Sequence, residues 1–320
     1  MFTDLSEPEL RAYTSSQSRP ADFDSFWNST LVESRALGGE VRADLVETGL
    51  RAIDVWDVTF SGYLGQPVRA WLRLPAFIGG RLPAVVEYVG YGGGRGDANE
   101  SLFWAAAGFA HLQMDTRGQG SAWSRGWTAD PEGSGPAVPG FLTRGIESRE
   151  DYYYRRLMVD AVRAVDAART LDRIDPERVS VLGFSQGGGL ALSTAALVPD
   201  LAAAFAFVPF LCDFPRAITI TDRDPYKEIG RYLAVHRENV ESVMRTLAYF
   251  DGVNFARSAS TPAHFSTALM DPTCPPSTVF AAHNAYSGPK SITVWPFNGH
   301  EGGAYDDERA ALGSLQRLFD

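Results

Sequence analysis

Apolar and polar residues alternate along two neighbouring stretches. Trp56, Val58 and Phe60 fall on one face of Val55 to Phe60, and Val68, Ala70, Leu72 and Leu74 on one face of Val68 to Leu74. With Ser61-Gly62-Tyr63-Leu64-Gly65-Gln66 between them, they predict an antiparallel hairpin. Downstream the pattern changes to continuous apolar runs: Ala84 to Val89, Phe109 to Met114, Val179 to Phe184, Ala203 to Val208, Phe265 to Met270 and Ile292 to Trp295. Runs of this kind predict strands buried on both faces, as in a parallel sheet covered by helices. Helical patterns lie between them. Tyr153 to Ile174 carries Leu157, Ala161, Val165 and Ala168 at near-helical spacing, and Gln186 to Leu197 is rich in Ala and Leu. Upstream, the chain through Ala36 reads as helical pieces anchored by Phe23, Phe26 and Trp27. The expected class is α/β: a mainly parallel central sheet flanked by helices, with an N-terminal helical extension and an antiparallel hairpin. Asp213 to Ser260 breaks the rhythm with interleaved charged and apolar residues. We read it as a helical insertion over one edge of the sheet, inside a single domain of residues 1–320.

Composition narrows the function. The 320 residues hold 29 Lys and Arg against 39 Asp and Glu, a net charge of −10. Without a basic cluster, neither nucleic acid nor an anionic membrane surface is an expected partner. The longest apolar stretch, Leu201 to Cys212, contains Pro209 and falls short of the ~20 residues of a membrane span. Cys212 and Cys274 are far apart, with no spacing that suggests a disulfide framework or a zinc site, so both are expected to be reduced. The acidic N-terminus lacks the features of a secretory signal, which makes the cytoplasm the expected location.

The sharpest chemical signal is Gly183-Phe184-Ser185-Gln186-Gly187, a GxSxG directly after a buried strand and directly before an Ala/Leu helix. That context suits a nucleophile elbow, where small flanking residues let Ser185 occupy a strained turn with its hydroxyl at the carboxyl end of the sheet. A glycine-rich phosphate loop is the competing reading, but no P-loop Lys follows. A serine hydroxyl needs a base and a group to orient that base. In the order Ser, acid, His, the histidine comes last, and His300 follows the final strand in Phe297-Asn298-Gly299-His300-Glu301-Gly302-Gly303. His111 lies within an apolar strand and reads as a core residue, while His236 sits among charged residues and reads as solvated. Asp271, at the end of the preceding strand, is the expected acid. Glu301 is the rival, though adjacent residues rarely act as base and orienter. For an oxyanion hole, the backbone N–H of Gln186 would pair with that of Tyr91 in the loop Gly90 to Gly96. A second glycine loop, Arg117-Gly118-Gln119-Gly120, reads as structural, with Arg117 bridging loops near the site.

Together these motifs resemble the acetyl xylan esterase and cephalosporin C deacetylase group, carbohydrate esterase family seven, of the α/β-hydrolase superfamily. The resemblance is carried by Arg117-Gly118-Gln119-Gly120, by Gly183 to Gly187, by His300-Glu301, by Met270 to Ala282, and by Asp22 to Trp27 and Asp57 to Tyr63. Phe184, Gly92 and His283 depart from the residues usual in that group. The resemblance implies an α/β-hydrolase fold and a serine esterase with Ser185, Asp271 and His300 as its triad. It also implies acetyl removal from small substrates such as acetylated xylo-oligosaccharides and cephalosporin C. It implies no metal or cofactor, and a ring-shaped homohexamer. Resemblance and position suggest that Tyr91, Phe210 and Pro209 wall a small acyl pocket. The alternatives are a broader short-chain esterase, an acyl-peptidase on the same fold, and a catalytically silent binding protein.

Overall fold

The alternating stretches and the continuous runs join in one nine-stranded sheet in the computed structural model, which describes residues 2–133 and 137–319. Two N-terminal helices, α1 (Glu7–Ala12) and α2 (Phe23–Ala36), precede strands β1 (Arg42–Val46), β2 (Ile53–Ser61), β3 (Pro67–Pro75) and β4 (Leu82–Tyr88). Then come α3 (Phe103–Ala106), β5 (Ala110–Met114), α4 (Tyr153–Thr170), β6 (Ile174–Phe184), α5 (Gln186–Leu197) and β7 (Ala204–Phe207). Helices α6 (Phe214–Ile220), α7 (Tyr226–Val235), α8 (Val240–Leu247) and α9 (Gly252–Ala256) follow. The chain finishes with β8 (Ala263–Ala268), α10 (Pro276–Ala285), β9 (Lys290–Trp295) and α11 (Tyr305–Phe319).

The sheet order is β1-β2-β3-β5-β4-β6-β7-β8-β9. Strands β1, β2, β3 and β5 pair antiparallel, and from β5 through β9 every pair is parallel. The two strand patterns therefore mark two parts of one sheet, as the α/β reading expects. Strand β1 has no counterpart in that reading, because its Arg42-Ala43-Asp44-Leu45-Val46 is exposed or half-buried throughout and shows no apolar face. Helix α4 stops at Thr170, short of Ile174, because Leu171 turns extended and Ile174 already opens β6.

Both sheet faces are covered. Leu157, Val162, Val165, Leu190 and Leu192 on α4 and α5 are buried in the large core against Val86, Leu112 and Val181. On the other face, Trp104 and Phe109 pack with Phe205, Phe207, Ala311 and Leu315. The segment from Asp213 to Ser260 holds α6 to α9 and connects β7 to β8, which are neighbours in the sheet; it lies on an interior crossover and not beyond an edge strand. The N-terminal extension packs on this segment. The Trp27 indole donates to the Tyr249 carbonyl at 3.0 Å, and its ring lies 5.6 Å from Phe250 and 5.3 Å from Phe255.

A buried ionic cluster fixes the loop after β5 to α4 and to the hairpin link. Arg117 is fully buried and donates through Nη2 to Asp160 Oδ1 at 2.8 Å, while its Nη1 lies 3.3 Å from Asp130 Oδ1. Arg156 closes the other side of Asp130 with bonds of 2.7 and 2.8 Å, and the Tyr63 N–H donates to Asp160. Removing one member of such a pair leaves a buried charge unmatched. Asp160→Ala is expected to lower the unfolding free energy by about 3–5 kcal/mol, read as a fall in the urea midpoint at unchanged slope.

Candidate active site

Ser185 sits between β6 and α5 with φ 56° and ψ −118°, a conformation that costs a non-glycine residue energy and is imposed by its surroundings. The turn is tight enough to dictate its neighbours. A Cβ on Gly183 would lie 2.1 Å from the Gly187 carbonyl carbon, and one on Gly187 would lie 2.0 Å from the Tyr88 oxygen. Backbone bonds pin the turn on both sides, with Ser185 N–H donating to the Phe207 carbonyl and Phe210 N–H donating to the Ser185 carbonyl, each at 2.9 Å. This is the strand–turn–helix geometry of a nucleophile elbow.

The other two residues arrive from the following strands. Asp271 lies three residues after β8 and His300 five after β9, so all three meet at the carboxyl end of the parallel sheet. His300 Nε2 is 2.9 Å from Ser185 Oγ, and its Nδ1 is 2.8 Å from Asp271 Oδ2. Asp271 is fully buried, and its Oδ1 accepts from the N–H groups of Thr273 (2.7 Å) and Cys274 (3.0 Å). A carboxylate held by such donors can only accept from His300, which places the ring proton on Nδ1 and leaves Nε2 free to take the serine proton. The arrangement can generate a nucleophilic alkoxide at Ser185 without further groups. Glu301 is turned to its own loop, its Oε1 accepting from Gly299 N–H (3.0 Å) and Asn298 Nδ2 (3.1 Å).

Asp271, Cys274 and His300 also present ligand-type atoms within 4.8 Å of one another. Both His300 nitrogens are already engaged by Ser185 and Asp271, and burial raises the Cys274 thiol well above its ordinary pKa. Cys212 and Cys274 are both free and buried.

Ser185 and His300 open into a cleft of about 480 Å³ also lined by Gly90, Tyr91, Trp123, Pro139, Phe184, Asp224, Pro225 and Thr273. Tyr91 is held in place there. Its hydroxyl donates to Glu228 Oε1 at 2.6 Å and accepts from the N–H groups of Gly140 and Phe141 at 3.0 and 2.9 Å. Burial pushes the carboxyl of Glu228 above its ordinary pKa. Gln186 occupies the first position of α5, where backbone N–H groups have no acceptor within the helix.

The expectation that Phe210 and Pro209 wall the pocket is corrected: neither lines the cleft. Phe210 is fully buried, with its ring 6.1 Å from Tyr91 and 4.5 Å from Tyr226, so it backs Tyr91 from inside the core. Positive φ at Val208 (38°) and Leu211 (65°) turns this stretch inward. Trp123, Pro139, Asp224, Pro225 and Thr273 escaped the sequence reading, as did Glu228. Asp224 and Pro225 belong to the segment read as a helical insertion over one edge of the sheet, and no periodicity links Glu228 to Tyr91 across 137 positions. A tryptophan three residues beyond the second glycine loop is the one local hint. Of the unusual residues, Phe184 stands edge-on to His300 with ring centroids 5.5 Å apart, whereas His283 lies away from the cleft between Phe265 and Phe280. His111 is buried beside Glu87 at 2.7 Å, and His236 stacks on Tyr232 on the surface.

A family model described as acetyl xylan esterase (AXE1) matches residues 1–314. The acetyl esterase Axe7A of Xylanibacter ruminicola is 30% identical over 309 residues, which cover 92% of this chain and 66% of that relative's length. Among solved structures, the acetyl xylan esterase from Paenibacillus sp. R4 superposes with a TM-score of 0.91 at 36% identity, over 98% of this chain and 99% of that one. Acetyl xylan esterase 1 from Thermoanaerobacterium sp. JW/SL YS485 gives 0.89 at 31% identity, over 99% and 100%. An acylaminoacyl peptidase from Pyrococcus horikoshii shares the fold alone, with a TM-score of 0.58 at 13% identity over 84% of this chain and 41% of that one. The chain belongs to the acetyl xylan esterase family and has the α/β-hydrolase fold. Because Asp271 fixes the His300 tautomer, Asp271→Asn is expected to slow fluorophosphonate labelling of Ser185 by about 10³-fold or more, with folding unchanged by circular dichroism.

Proposed function

We propose that the chain is a serine esterase that removes acetyl groups from small acetylated carbohydrates, xylo-oligosaccharides above all, and that it also cleaves cephalosporin C-like acetyl esters. The observation that carries this reading is the Ser185–His300–Asp271 chain of hydrogen bonds, 2.9 and 2.8 Å long, at the floor of the cleft. Family membership supports the acyl group and the sugar alcohol. In the proposed cycle Ser185 Oγ attacks the acetyl carbonyl as its proton passes to His300 Nε2, and the N–H groups of Tyr91 and Gln186 hold the oxyanion. The ester C–O bond then breaks, His300 returns its proton to the leaving alkoxide, and an acetyl ester remains on Ser185. Water, deprotonated by His300, attacks that ester; acetate leaves and Ser185 recovers its proton.

The walls of the cleft favour a small acyl group and a carbohydrate. The Tyr91 ring is fixed by its three hydroxyl bonds and by Phe141 and Phe210 at its edge, so it does not swing aside for a longer chain. Trp123 is 65% exposed at the cleft, and its indole N–H donates to the Tyr91 carbonyl at 2.8 Å, which holds an apolar ring face open beside Ser185. Such a face suits the C–H side of a sugar ring. Following the family resemblance, we also propose assembly as a homohexamer. Hydrolysis of 4-nitrophenyl acetate, butyrate and octanoate tests the reading. The acetate is expected to exceed the octanoate by about tenfold or more in kcat/KM, and acetylated xylo-oligosaccharides are expected to be turned over. Faster octanoate turnover would overturn the substrate class and leave the triad intact.

A further inference from the structure

The glycine loop Arg117 to Gly120 has no part in the proton relay, yet one of its side chains reaches the centre of the site. Gln119 is buried, and its amide is oriented without ambiguity by its partners. Its Oε1 accepts from the Gly92 N–H at 2.6 Å, so its Nε2 is the donor to Gln186 Oε1 and to the Tyr153 hydroxyl, both at 2.9 Å. The Tyr153 hydroxyl in turn donates to the Arg117 carbonyl at 2.6 Å. Gln186 Oε1 takes a second bond from the Tyr154 hydroxyl at 3.0 Å, and Gln186 Nε2 donates to the Val89 carbonyl at 3.1 Å.

These bonds form a closed ring around Tyr91. The Gln186 side chain holds Val89, two residues before Tyr91, directly. Through Gln119 it holds Gly92, the residue after Tyr91. The Gly92 carbonyl is tied to the same glycine loop, accepting from Gly120 and Ala122 N–H groups at 3.3 and 3.1 Å. All the side chains of the ring are buried, where a bond left unmade is costly and a satisfied network is rigid. The two proposed oxyanion donors lie on separate elements, the loop after β4 and the start of α5, and the ring joins them.

We infer that Gln119 is a positioning residue that sets the spacing of the Tyr91 and Gln186 N–H groups, its amide bridging the oxyanion loop to the Gln186 side chain. The inference rests on the proposed esterase reading and its oxyanion donors. A hole built this way is ordered before substrate arrives and stabilises the tetrahedral species more than the planar ester. Gln119→Met keeps the length of the side chain and removes all three amide bonds. Gln119→Glu keeps an acceptor for Gly92 and sets a second acceptor against Gln186 Oε1.

The test is 4-nitrophenyl acetate hydrolysis, with active sites counted by fluorophosphonate titration so that only competent protein is compared. Both variants are expected to lose about 10- to 100-fold in kcat per titrated site, less than the about 10²–10³ of a deleted oxyanion donor, while KM moves by less than about threefold. Affinity for methylboronic acid, which closes on Ser185 as a tetrahedral adduct, is expected to fall by about the same factor as kcat/KM. A purely structural role would lower the number of titratable sites and leave turnover per site unchanged; that result would overturn the inference. If Gln119→Met does not fold, Tyr154→Phe, which removes only the other donor to Gln186 Oε1, is read in the same way. It is expected to lose about 3- to 10-fold in kcat, and wild-type turnover per site would count against the ring. A wild-type protein inert to every ester would instead sink the esterase reading.

Discussion

Gly187 lies so close to the Tyr88 carbonyl that a Cβ there would sit 2.0 Å from its oxygen, and the rest of the site depends on that contact. It brings the end of β4 against the start of α5, and it holds Ser185 in the strained conformation that lifts its hydroxyl out of the sheet. The same contact sets the loop after β4, with Tyr91 on it, next to the nucleophile. Any side chain at Gly187, or at Gly183 opposite it, would separate these backbones. The strain at Ser185 is balanced by the packing of β6 and α5 into the large core and by the bonds from Phe207 and to Phe210.

Around this contact, charge and hydrogen bonding are distributed by depth. At the surface of the cleft, Ser185 and His300 can exchange a proton with substrate; below them Asp271 is sealed from solvent and accepts two backbone N–H groups. Away from the relay, buried Arg117 with Asp130 and Asp160 locks the loop that carries Gln119. The segment between β7 and β8 contributes from the side, through Glu228 on Tyr91 and through Asp224 and Pro225 on the cleft wall. Tyr249 and Phe250, in its link between α8 and α9, pack on Phe26 and Trp27 of the N-terminal extension.

Which features could be read from the sequence follows from how locally each is encoded. The parallel strands show as unbroken apolar runs because both their faces are covered, and the hairpin shows as alternation because its faces differ. Ser185, Asp271 and His300 are legible because each follows a strand in the chain order that this fold imposes. Strand β1 is not legible, since it lies at the sheet edge and no face of it is buried. Phe210 misled the reading: its place after β7 suggested the cleft, but backbone turns at Val208 and Leu211 send it into the core. Glu228, Trp123 and the Gln119–Gln186 pair depend on contacts between segments far apart in the chain, which no local pattern records. The glycine loop at Gln119 was read as scaffold alone, and its three-dimensional partners give it a second role.

The central claim is that Ser185 carries the acyl group between two half-reactions. Rapid acid quenching of the protein during turnover of an acetyl ester, followed by peptide mass mapping, tests it most directly. One added acetyl group is expected on the peptide that contains Ser185, appearing within a turnover and vanishing as substrate is exhausted. Turnover with no acetyl group on Ser185, or an unchanged rate in Ser185→Ala, would contradict it.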